Sequence, residues 1–209
     1  MTTVPATSEE IAYVRKLAET GVRAPLLGGR YMLWWGTLLT LAYTLHHLAL
    51  NGAFGDGWSI FPLIWIGFAL LGGAGHALLA RTMPAKAGSG SAGNRATQSV
   101  WFAGAGAIVS MAIGSAVAAS RGAGPATFDW IVPVAFAVYA CALIVTGTLA
   151  GSRISVAAGL GSIVMAGLFT ATILEPARYL VAAAGVALTV ALPGLLLLRA
   201  EPGEARDHG

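Results

Sequence analysis

Residues 31–50 read YMLWWGTLLTLAYTLHHLAL, twenty residues without Asp, Glu, Lys or Arg. At about 1.5 Å rise per residue, a helix of that length crosses a hydrocarbon core of roughly 30 Å. On such a helix Gly36, Thr40, Tyr43 and His47 fall at i, i+4, i+7 and i+11 and form one stripe, widened by Thr37 and Thr44. Against lipid a polar stripe is costly, so this face is expected to turn toward other helices or a cavity.

The composition places the whole chain in the same solvent. Of 209 residues 56% are hydrophobic and 10% charged, against the usual quarter charged in soluble domains. Apolar runs recur at about 59–80, 99–119, 130–151, 154–174 and 179–198. Together with the first run they predict an all-α polytopic membrane protein of six transmembrane helices, arranged as three hairpins. Trp130 and Pro133 at the start of the fourth run echo Trp58 and Pro62 at the start of the second, which fits a repeated hairpin layout. Pro193 is expected to bend the last turns of the sixth run.

Three parts follow. Residues 1–30 form a cytoplasmic segment with a short amphipathic helix at about 8–20, opened by a Thr7/Glu10 capping box and stopped at Gly21. Residues 31–198 form the membrane domain, and residues 199–209 a disordered cytoplasmic tail. The stretch 81–98, with KAGSGSAGNR at its centre, reads as a polar linker. Glu9 and Glu10 in a polar N-terminus argue against a cleavable signal peptide. Twenty-eight glycines point to closely packed helices, with Gly72, Gly73, Gly104, Gly114, Gly159 and Ser162 as the expected packing positions.

Charge sets the orientation. Ten of the twelve Lys and Arg residues fall on the side of the two termini, and only Arg121 and Arg178 fall on the other. By the positive-inside rule both termini are cytoplasmic, in a bacterial-type inner membrane. The net charge of +3 is met by lipid headgroups; no basic arm with interleaved aromatics indicates nucleic acid. The lone Cys141 excludes an internal disulfide.

The histidines are the candidates for chemistry. His46 and His47 lie late in the first span and His76 late in the second, so they are separated by roughly 15–20 Å along the membrane normal, too far to share a haem iron. A pair of His47 and Met111 is the arrangement left for a haem, the least favoured function. No third or fourth ligand at matching depth suggests zinc. GxSxG, HExxH and P-loop patterns are absent, and no carboxylate lies mid-span, so neither an enzyme nor an ion-coupled carrier is expected, and no cofactor.

Six short helices in three hairpins, a turn containing Ala24-Pro25-Leu26, a histidine late in the first span and a cytoplasmic tail are similar in layout to the small acetate and urea channel families. The acetate family's Asn-Pro-x-Pro-Leu-Gly-Leu signature is replaced here by Arg23-Ala24-Pro25-Leu26-Leu27-Gly28, and no pore residue is carried over. Two functions compete. In the first, a passive channel for a small neutral or weakly acidic solute is lined by Thr40, Tyr43, Thr44 and His47, with His76 deeper in the path. In the second, the chain is a non-catalytic accessory or scaffold subunit, partnered by lipid and by its own copies or a larger complex.

Overall fold

Lipid offers no partner to backbone N–H and C=O groups, so a chain of this composition satisfies them within helices. The computed structural model describes residues 28–55, 59–82 and 92–200, which are helix and turn without a strand. The predicted amphipathic helix at 8–20 and residues 201–209 of the tail lie outside the described residues. Among them the helices are α1 (Gly29–Leu50), α2 (Ile60–Thr82), α3 (Ala92–Ala118), α4 (Ile131–Leu149), α5 (Arg153–Ala171) and α6 (Arg178–Ala200).

Among the described residues, five stretches are long and apolar enough to cross a membrane: Ile60–Thr82, Asn94–Ala123, Pro125–Leu149, Arg153–Ala171 and Arg178–Ala200. The helix first expected to cross, α1, is 22 residues long but is not one of them. Its two Trp, two Tyr, two His and three Thr lower its hydropathy. The third helix begins earlier than predicted: residues 92–98, read as linker, are helical. After Gly93 that stretch holds no further glycine and no proline to stop a helix.

Local signals set the ends. Gly122 (φ 98°) and Gly124 (φ 78°) adopt left-handed conformations that turn the chain out of α3. Pro125 then opens a tight turn, Pro125–Trp130, leading into α4. At the start of α5 the Ser152 hydroxyl accepts the Ser155 N–H at 3.3 Å, an N-cap. Pro193 has no N–H for the Thr189 carbonyl, and the helix widens into a π turn, Ala187–Ala191, immediately before it.

The main packing runs α2 to α1, α1 to α6, α6 to α5, α5 to α4 and α4 to α3. The first helix is therefore interior to this order, and α2 and α3 stand at its ends. Accordingly only 6% of the apolar window of α2 or of α3 is buried, against 44% in α6. Phe136, Leu143, Phe169 and Val186 are nearly fully buried where α4, α5 and α6 meet. Glycines bring α1 and α6 into backbone contact. A methyl at Gly29 would lie 2.8 Å from Leu198 N, at Gly36 2.6 Å from Ala191 N, and at Gly194 2.5 Å from Leu33 N. The order of these contacts makes the two helices antiparallel.

A Cβ at Gly36 has backbone rather than a flexible side chain in its way, so Gly36→Ala should destabilise the protein by about 1–3 kcal/mol. Gly73 has open space around it, and Gly73→Ala should gain up to about 1 kcal/mol from helix propensity. Reversible unfolding in mixed micelles measures both.

Candidate functional site

Residues of the α1 stripe do not share one environment. Gly36 and Tyr43 are buried, Thr40, Thr44 and His47 are half-buried, and Thr37 is exposed. The Thr40 hydroxyl donates to Gly36 O and the Thr44 hydroxyl to Thr40 O, both at 2.8 Å. These hydroxyls thus spend their hydrogens on their own helix, as threonines do when no better partner is at hand. His47 lies beside Asn51, whose amide donates to the His47 carbonyl at 2.8 Å and comes within 3.4 Å of the ring. Tyr43 is only 3% exposed, with its ring 5.4 Å from Trp65 and 6.0 Å from Tyr179.

One turn above Tyr43, His46 lies among aromatic rings of α2 and α6. Its ring stacks on Tyr179 at 3.9 Å and lies 4.7 Å from Phe61. The Trp65 indole N–H donates to His46 Nδ1 at 3.1 Å. Tyr179 in turn donates to Asp129 Oδ1 at 2.5 Å, and Arg178 Nε pairs with Asp129 Oδ2 at 3.3 Å. The Arg178 guanidinium also donates to Glu175 O and sits 5.3 Å from the Tyr179 ring centre. Reciprocal bonds between Ser115 and Thr127 hold the turn that carries Asp129 against the end of α3. The result is a continuous polar and aromatic chain through α6, the turn before α4, α1 and α2, all at one end of the bundle.

The opposite end of the α1–α2 pair has its own cluster. Trp35 donates its indole N–H to His76 Nδ1 at 3.3 Å, and Tyr31 lies 4.7 Å from the His76 ring. Trp34 donates to Gly72 O at 3.2 Å. The rings of Trp35 and Trp34 cover Gly72 and Gly75, where no Cβ would fit. His76 is therefore far from Tyr43 and His47, and the five predicted lining residues are not brought to one place.

Of the predicted packing positions, Gly72, Gly104 and Gly159 face Trp35, Val138 and the α4 backbone, while Gly73 and Gly114 face open space. Ser162 is fully buried and bonds to Ala158 O at 3.0 Å. A shallow, mostly apolar groove of about 430 Å³ at the α4–α5 turn is bordered by Gly147, Arg153, Val156 and Leu160, remote from α1. Among the described residues no three His, Cys, Asp or Glu side chains group closely enough to hold a metal ion.

Two signals for these contacts were present in the sequence. Trp35 and His46 are eleven residues apart, and so are Trp65 and His76. Eleven residues bring a helix back to nearly the same face after three turns, so two such helices laid antiparallel match Trp to His at both ends. Asp129 and Arg178 are opposite charges at the starts of the fourth and sixth spans, which begin on the same side. Comparison of the chain with family models, curated proteins and solved structures returns no match.

Removing Asp129 leaves a cation and a phenol without their shared acceptor. Asp129→Ala should cost about 2–3 kcal/mol, less than the ~3–5 of a fully buried pair because the Arg178 side chain keeps 20% exposure. Tyr179→Phe, which leaves the ion pair in place, should cost about 1–2 kcal/mol. Denaturant unfolding of the two variants in the same micelles checks this ranking.

Proposed function

We propose that the chain is a six-crossing, non-conducting integral membrane protein: a non-catalytic accessory or scaffold subunit with both termini on the cytoplasmic side of a bacterial-type inner membrane. α1 is its sixth crossing, because it is uncharged from Tyr31 onward, is 22 residues long and packs between crossing helices. The three sequential pairs α1–α2, α3–α4 and α5–α6, each in contact, support three hairpins.

One observation carries the preference for a non-conducting role. Tyr43, central to the predicted path, is wedged between Trp65 and Tyr179, and the threonine hydroxyls above and below it are tied to their own backbone. A conduction path needs hydrogen-bonding groups free to replace a solute's hydration. The nearly uncovered faces of α2 and α3 suit a protein surrounded by lipid and by copies of itself or a larger complex.

Purified protein in liposomes should pass acetate and urea no faster than protein-free vesicles. Flux above that background would overturn the proposal, and its loss in Tyr43→Phe or His47→Ala would assign the path to α1.

A further inference from the structure

Two hydrogen bonds of one kind join α1 to α2 in opposite directions. Trp65 of α2 donates to His46 Nδ1 of α1 at 3.1 Å, and Trp35 of α1 donates to His76 Nδ1 of α2 at 3.3 Å. An indole N–H is only a donor, so each imidazole must present Nδ1 as a bare lone pair and carry its hydrogen on Nε2. A second proton occupies that lone pair and sets two donors face to face.

We infer that the α1–α2 pair is a proton-sensitive latch, closed at both ends only while His46 and His76 are neutral. His76 is exposed on α2, six residues from the helix end at Thr82 and therefore about 9 Å from it. His46 is half-buried between rings.

Among the described residues, the side chains facing each histidine are aromatic rings and cations rather than free carboxylates. Around His76 stand Tyr31 and Trp35 from α1, with Arg30 next to Tyr31, and Arg81 on its own helix. His46 is faced by Phe61 and Trp65 from α2, by Arg178 and Tyr179 from α6, and by His47 on its own helix. Asp129, near this end, is already engaged by Tyr179 and Arg178. The helix affected has little else to hold it, since α2 stands at the end of the packing order and its main contact is with α1. A latch of this kind is compatible with either a conducting or a non-conducting protein, so its test is separate from the flux measurement.

The indole N–H signals of Trp35 and Trp65 report the bonds directly. They are read by NMR on full-length protein in nanodiscs, labelled at Trp nitrogen and at the His ring carbon, and assigned with Trp35→Phe and Trp65→Phe. The titration runs from about pH 8 to about pH 4.5, spanning the range in which histidine charges, and the His ring carbons report which imidazole has charged. Each Trp N–H should lose its downfield shift and its protection from exchange in step with the charging of the histidine it is bonded to. His76→Asn offers an oxygen acceptor near the place of Nδ1 and should keep the bond while abolishing the pH response. A charged histidine with an unmoved signal on its Trp partner would overturn the latch, as would two histidines that stay neutral throughout.

Discussion

The backbone of α1 touches the backbone of α6 at three successive levels, Gly29 with Leu198, Leu33 with Gly194 and Gly36 with Ala191, and the rest of the bundle is built around that contact. Between apolar helices in lipid there is no hydrophobic drive to associate, so close approach and dispersion decide which faces meet. Glycines at these levels let the two helices come nearer than any side chain would permit. The consequence is topological: the first helix lies against the last, inside the packing order, with α2 carried on its outer side.

Once α1 is interior, its polar and aromatic side chains need partners in neighbouring helices. They find them at both ends. His46, Trp65, Tyr179, Asp129 and Arg178 form one connected set, and Trp35, Tyr31 and His76 form the other. Hydrogen bonds between membrane helices average only ~0.6 kcal/mol, so these contacts fix register more than they supply stability. The Asp129–Arg178 pair is the exception in kind: its loss strands a charge, and the penalty for that exceeds the net worth of the pair.

Much of the architecture was legible from periodicity and composition. Helix type, five helices long and apolar enough to cross a membrane and the importance of the first uncharged run follow from long stretches without charge, a signal that survives imprecise boundaries. The stripe on α1 was a weaker guide. Spacing placed Thr40, Tyr43, Thr44 and His47 near one another but says nothing about where a hydroxyl spends its hydrogen, and both threonines turn back to their own helix. The surroundings of His46 are equally invisible to spacing. A helical wheel separates it from the stripe by about 100° per residue, yet α1 has neighbours on more than one side, α2 and α6, and His46 serves the seam they share. Asp129 is only 8% exposed, because its oxygens are claimed by Tyr179 and Arg178 of α6, a pairing legible only when the starts of the fourth and sixth runs are read together.

Cross-linking across the α1–α6 seam tests the central contact most directly. A Cβ at Gly36 would lie 3.0 Å from the Ala191 Cβ, slightly inside the ~3.5–4.5 Å range of disulfide-linked pairs, so a small separation of the helices suffices to form the bond. In intact membranes, with Cys141 replaced by serine, Gly36→Cys together with Ala191→Cys should form an internal disulfide on mild oxidation, identified by mass spectrometry of the joined peptides. Absence of that linkage, while both thiols react with a lipid-soluble alkylating agent, would contradict the packing of the first helix against the last.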